Sequence, residues 1–285
     1  MKTHTRIDAL VPWHPDFDIG SPMFEPLRPL LGAFRRFENW PGLDAYQHVL
    51  DSLEHPVCTH HGVALKVVAQ DGKPDHFEQH YAPRIFLSGE IQTRTRNWHD
   101  FFQLLTWVIF PKTKAVINAI HIPSARSRIE GGGERGHRSP MENMLSLFDE
   151  GGAVLLSSDD TLLQLVRDFK WKQLFWKRRD ELATKFECIT FGHALYEKGL
   201  KPYLGMTANT ILLKVDETYF AQPLTQRITE IDDRLAALFE KREHYVKPRD
   251  LNPFPLLGLP GWDKENEVES YYDNTDYFRT SRRRV

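Results

Sequence analysis

Disulfides, an export signal and long apolar runs are what this chain has little of. Two cysteines in 285 residues, Cys58 and Cys188, are too few for a disulfide framework. Both are expected as reduced thiols, as in a cytoplasmic protein. Residues 1–17 lack the apolar core of a signal peptide. The longest apolar run, Trp98 to Phe110, is too short to cross a bilayer and contains His99, Asp100 and Gln103. A cytoplasmic protein with no membrane partner is expected. Net charge is also small: 37 Lys and Arg against 39 Asp and Glu give −2. That does not indicate a nucleic-acid coat or a polybasic membrane binder, although nucleic acid stays open as a partner. Charge is nevertheless uneven, basic from Arg126 to Arg138 and at Arg282-Arg283-Arg284, acidic from Asp263 to Asp276.

What is present reads as an ordinary globular chain, long enough to bury a sizeable core. Helices are expected at Asp44–Leu53, at Asn97–Phe110, and at Lys112–His121 with Pro111 either kinking the preceding helix or opening this one. Further helices are expected at Met141–Phe148, from Asp159 or Asp160 to Phe169, at His193–Leu200 and at Gln222–Glu240. Strands are expected at Val63–Val68, Arg84–Leu87, Ala153–Leu156, Phe186–Phe191 and Ile211–Val215. There is no regular βα alternation, no repeat and no convincing linker. The expectation is a helix-rich α+β single domain over residues 1–285, with a small mixed or antiparallel sheet. Irregular Pro/aromatic-rich segments at about 1–41 and 252–285 would pack on it.

Two clusters carry potential chemistry. His193 and Glu197 are four apart on a predicted helix and so share a face. They could hold one divalent metal or act as an oriented acid/base pair; alternatively His193 caps local structure and Glu197 faces water beside Lys198. His99 and Asp100 open the apolar helix behind Asn97, an N-cap residue, and Asp100 suits a first turn for its charge alone. Asp149 and Glu150 fall at a helix C-terminus, where an exposed carboxylate costs roughly 0.3–1 kcal/mol. A metal, an arginine or a chemical role would offset that; a charge pair facing water would not need one. The loop Arg126–Pro140, with Gly131-Gly132-Gly133, is expected to be mobile and could close over an anion, although it lacks the Gly-Lys-Ser/Thr ending of a Walker loop. Cys58-Thr59-His60-His61 has no matching second pair of zinc ligands.

A longer pattern runs through Arg84-Ile85, Thr93-Arg94, Asn97-Trp98-His99-Asp100-Phe101-Phe102, Phe110-Pro111-Lys112-Thr113-Lys114 and Asn118. It continues through Phe148-Asp149-Glu150-x-Gly152, Phe191-Gly192-His193-Ala194-Leu195 with Glu197, and Leu257-Gly258-x-Pro260-Gly261-Trp262. It ends at Tyr271–Asp273 and Phe278-Arg279. The pattern, from about residue 80 to 280, resembles a bacterial family of unknown function. The family reads Asn where Gln103 stands and has a shorter loop than Arg126–Pro140. The resemblance implies a single-domain protein and draws attention to the same His, Asp and Glu clusters.

The leading expectation is a metal-dependent hydrolase acting on a phosphate-containing substrate. His99, Asp100, His193 and Glu197 would be catalytic. A divalent metal would take ligands from His99, His193, Glu197, Asp149, Glu150 and Asp273. Arg94, Arg96, Lys114, Arg138 and Arg279 would bind substrate. The alternatives are a non-catalytic binding protein for RNA or another anionic partner, and a non-haem iron site of two histidines and a carboxylate.

Overall fold

Pro111 opens a helix whose first N–H groups have no intrahelical acceptor, and a carboxylate from far along the chain accepts them. In the computed structural model, which describes residues 11–70, 72–130 and 138–281, the N–H groups of Lys112 and Thr113 donate to Asp232 at 2.9 and 2.8 Å. Such pairing at a helix start satisfies donors that no intrahelical carbonyl can reach. The chain groups into two compact units. Unit 1 is Met1–Phe17, Leu27–Asn143 and Ile231–His244; unit 2 is Asp18–Pro26, Met144–Glu230 and Tyr245–Val285. Two of the boundaries, after residues 143 and 230, fall inside helices rather than in linkers.

Unit 1 contains α1 (Arg28–Leu31), α2 (Leu43–Asp51), β1 (Lys66–Ala69), α3 (Tyr81–Ser88), β2 (Glu90–Thr93), α4 (Trp98–Ile109) and α5 (Pro111–Glu130). β1 and β2 pair in parallel, Lys66 opposite Glu90 and Ala69 opposite Thr93. The strand expected at Arg84–Leu87 is instead part of α3. Four residues are too few to reveal a period: Pro83 and Ile85 are buried on the helix face while Leu87 is 45% exposed. Gly89 ends α3 at φ 70°, and a Cβ there would stand 2.2 Å from the Ala64 carbonyl oxygen, so glycine is required. α5 runs past the expected His121, through Pro123, to Glu130. Packing on both sides of the proline sustains it: Ile122 and Ala125 bury against Phe77, with Ile129 beside them.

The aromatic N-terminal segment is anchored through α4. Trp98 stacks on Trp13 at 5.1 Å and on Phe102 at 5.5 Å. The Trp98 indole N–H donates to Val11 O and that of Trp13 to Phe37 O. Aromatic pairs of this kind contribute about 0.5–1.5 kcal/mol each beyond the area they bury.

Unit 2 is built on a mixed four-stranded sheet. Its elements are the end of α6 (Pro140–Gly151), β3 (Gly152–Ser157), α7 (Asp160–Arg167), a π turn at Gln173–Lys177, α8 (Arg179–Lys185), β4 (Phe186–Thr190), α9 (His193–Gly199), β5 (Thr207–Lys214), the first part of α10 (Leu224–Lys241) and β6 (Asn252–Pro255). The strand order is β4-β3-β5-β6; β3 is parallel to β5 and antiparallel to β4, and β6 is antiparallel to β5. All six residues of β3 are buried, as a strand covered on both faces requires. β6 carries Pro253 and Pro255 and lies at an edge, where a missing N–H is tolerated. The irregular C-terminal segment is stitched to that edge: Tyr277 donates its hydroxyl to Met206 O, and Asn266 donates to the carbonyls of Leu257 and Leu259.

The fold is thus helix-rich α+β, as expected from the sequence, with two small sheets among the described residues where one was expected. Both cysteines are free thiols. Among the described residues no helix is long and apolar enough to cross a membrane.

Candidate functional site

At one end of the unit 2 sheet, the Phe148–Gly152 and Phe191–Glu197 segments lock together. β3 begins opposite the end of β4, Ala153 pairing with Thr190. Phe191 N–H and Gly192 N–H both donate to Gly152 O, at 3.0 and 2.8 Å, and the rings of Phe148 and Phe191 stack at 4.7 Å. A Cβ on Gly192 would meet Glu150 O at 2.4 Å, and one on Gly152 would meet Phe148 O at 2.2 Å. Both obstacles are backbone, so glycine is required at 152 for α6 to turn into β3 and at 192 for the start of α9 to come this close to the end of α6.

That approach places Asp149 Oδ2 3.8 Å from His193 Nδ1, with side-chain exposures of 19% and 5%. Glu197, one turn further along α9, is also buried. Asp149 stands at a helix C-terminus, where its charge is disfavoured, and the His193 ring is its neighbour across the turn. Glu150, next to it, is exposed. Asp149 and His193 thus form an acid–imidazole pair inside unit 2, with Glu197 buried one turn along the same helix.

In unit 1, Arg94, Asn97 and Asp100 are tied together at the start of α4. Arg94 Nε and Nη2 donate to Asp100 Oδ2 and Oδ1 at 2.9 and 2.7 Å, and Arg94 N–H adds a third bond at 2.7 Å. Asn97 caps α4 by accepting Asp100 N–H at 2.9 Å. Arg96, exposed and at φ 56°, makes the turn between them. His99 is half-buried in the first turn of α4. Bidentate pairing of this kind holds a carboxylate charged and a guanidinium oriented, so Arg94 and Asp100 serve the helix start.

The remaining expected residues are dispersed. Lys114 is buried in unit 1 with its ammonium 5.6 Å from the centre of the Trp107 ring. Arg138 is exposed. In unit 2, Asp273 pairs with Lys172 at 2.7 Å, and Arg279 Nε donates to Asp276 O. Arg128 pairs with Glu142 at 2.8 Å, while residues 131–137, with Arg135 and His137, lie outside the described residues. Among the described residues no three His, Cys, Asp or Glu side chains are grouped so as to hold a metal ion.

A second feature of unit 2 has no counterpart in the sequence reading. A cleft of about 270 Å³ opens between the Pro22–Leu27 turn, α8, β4 and the Leu259–Trp262 segment. Its walls are mainly apolar, including Pro26, Leu182, Phe186, Ile189, Leu259 and Trp262. Glu25, Glu187, Cys188 and Arg179 add polar edges. Glu187 accepts from Arg227 on one carboxylate oxygen and from Tyr219 at 3.0 Å on the other. Burial pushes the Glu187 carboxyl up against the pull of Arg227 and Tyr219, and the charge of Glu25 adds to the rise. Burial likewise pushes the Cys188 thiol up, away from the reactive thiolate. The Arg179 guanidinium is held by Glu267 at 2.6 Å and by Asn266 and Tyr272. The sequence signals were a carboxylate in an otherwise apolar strand and the Pro260-Gly261-Trp262 run; neither says that they face one another.

With that geometry in place, residues 65–282 match the model of a family described as protein of unknown function, DUF3025, and the chain belongs to that family. No curated protein and no solved structure matches the chain.

Proposed function

We propose that this protein binds a small organic ligand in the cleft of unit 2. The observation that carries the reading is the cleft itself. Four separate stretches of chain, at residues 22–26, 179–189, 224 and 259–262, converge to leave a mostly apolar hollow edged by a few polar groups. Ligand sites have this character, and about 270 Å³ is slightly below the usual range of ~300–1,000 Å³, which favours a ligand smaller than a typical drug. Of the residues expected to clamp a phosphate, Arg94 is paired with Asp100 within unit 1, and this reading departs from an RNA or other anionic partner. Ligand-observed NMR with a library of aromatic fragments tests it. Ala183 lines the cleft yet is exposed, so Ala183→Trp narrows the hollow at little cost to the fold. Fragments that bind the native chain and are lost with Ala183→Trp support the proposal. Equal binding to both overturns it.

One observation favours a hydrolase as the second reading: the buried His193 beside Asp149 with Glu197 a turn away, an arrangement suited to proton transfer. In this reading His193 moves the proton and Asp149 orients it, with no step assigned to a metal. Hydrolysis of a p-nitrophenyl phosphate ester that disappears with His193→Gln, while Asp149→Asn slows it, supports the dyad. An unchanged rate in the folded His193→Gln protein removes it.

A further inference from the structure

We infer that the ligand of the cleft in unit 2 is a short peptide segment in extended form, which adds a strand to the open edge of β4. This rests on the cleft being a ligand site and names the chemistry of what fills it.

Side chains of a strand alternate between the two faces of its sheet, so a hollow on one face meets every second residue. The cleft is lined by Phe186, Glu187, Cys188 and Ile189, four consecutive residues of β4. It therefore runs along the edge of the strand. β4 is an outer strand, and among the described residues it pairs with β3 alone.

The register decides which backbone groups this edge presents. Phe191 N–H donates to Gly152 O at 3.0 Å, and Ser158 N–H donates to Lys185 O at 3.2 Å. Both contacts continue the register that sets Val154 opposite Ile189 and Leu156 opposite Glu187. Bonded pairs alternate along an antiparallel ladder. Glu187 and Ile189 thus bond to β3, while Phe186, Cys188 and Thr190 turn N–H and C=O outward. Thr190 O accepts the Tyr196 hydroxyl at 2.6 Å. The Cys188 N–H and C=O have no hydrogen-bond partner among the described residues, and Cys188 is partly exposed. An added peptide strand offers one C=O and one N–H to this pair and, two residues on, an N–H to Phe186 O.

The two edges of the sheet are treated differently. β6 carries Pro253 and Pro255, which blunt an edge against pairing. β4 has no proline; the stretch at residues 22–26, α8 and the 259–262 segment stand around it instead. Their hollow of about 270 Å³ takes one slim segment and excludes the sheet of a second copy. Four strand residues span about 13 Å, so the segment is three to four residues long. Leu182, Leu224 and Leu259 on the walls suit small apolar side chains. Arg179 is already paired with Glu267 at 2.6 Å, so no charged terminus is called for.

Acetyl-Val-Ala-Val-N-methylamide, and the same peptide methylated on every amide nitrogen, separate backbone pairing from shape in isothermal titration. The native protein should bind the parent about tenfold more tightly than the methylated peptide. By NMR, the parent should slow hydrogen exchange of the Cys188 amide about tenfold and leave the Glu187 and Ile189 amides, already bonded to β3, little changed. Cys188→Pro removes only an outward N–H, which an edge strand tolerates. It should weaken the parent about tenfold while aromatic fragments still bind. If its thermal midpoint shows that it does not fold, the methylated peptide and the exchange data carry the test. Equal affinity for the two peptides overturns the strand inference and leaves the cleft reading standing. Parent binding with Cys188 exchange unchanged does the same, and so does fragment binding without peptide binding. A Cys188 amide already protected in a peptide-free dimer assigns the edge to a second copy and also overturns the inference. Failure of the peptide and of the whole fragment library overturns both.

Discussion

Asp149 Oδ2 at the end of α6 stands 3.8 Å from His193 Nδ1 at the start of α9. Two motifs more than forty residues apart in sequence meet through this pair and through the Gly152 carbonyl. The contact is longer than a hydrogen bond and becomes an ion pair only when the imidazole is protonated. His193→Phe, which keeps an aromatic ring but removes the nitrogens, should destabilise the protein by about 1–2 kcal/mol. Asp149→Asn should remove part of the same interaction, so the double variant should lose less than the sum, with a coupling of about 0.5–1 kcal/mol. Urea unfolding of the four proteins measures it, and strict additivity would show that the residues do not interact.

The Arg94–Asp100 pair should behave as a support of α4. Asp100→Ala leaves the Arg94 guanidinium and its backbone N–H without their acceptor and should cost about 1–3 kcal/mol. Arg94→Lys should recover little of the native stability, because a lysine cannot span both carboxylate oxygens. A fully stable Arg94→Lys protein would argue against the bidentate geometry.

Glu142 should make stability depend on acid. Burial works against its charge, but bonds from Arg128, Ser139 and Ser124 outweigh that and hold the carboxyl at about 2, below the ordinary 4.5. The folded state then binds its proton more weakly than the unfolded state, so this contribution is complete above about pH 4.5 and is lost as pH falls towards 2. Between those limits the native protein should lose stability faster than Glu142→Gln, by of order 1–3 kcal/mol in total. Parallel denaturation curves of the two proteins from pH 5 to pH 2.5 would refute it.

Much of the secondary structure was legible because its signals are local. Asn97 and Asp159 act as N-caps where the sequence suggested them, and the apolar β3 and amphipathic α10 fall where expected. Errors came where a local signal was short or overridden. Arg84–Leu87 was too brief to distinguish strand from helix, and Pro123 did not stop α5 because Ile122, Ala125 and Ile129 pack around Phe77. β2 and β6 escaped notice because Glu90–Thr93 is short and partly polar and Asn252–Pro255 carries two prolines. The meeting of the Asp149 and His193 segments was partly legible, since the carboxylate at a helix end called for a positive neighbour. The cleft was not legible. Glu25, Glu187 and Trp262 are far apart in sequence, and only the tertiary fold brings their segments to one hollow.

Whether that hollow takes ligands is most directly seen by soaking crystals of the protein with a set of aromatic fragments. The account predicts fragment density between Trp262, Phe186 and Leu182. Fragments seated elsewhere on the protein, with this cleft open in the crystal and empty throughout the set, would contradict it.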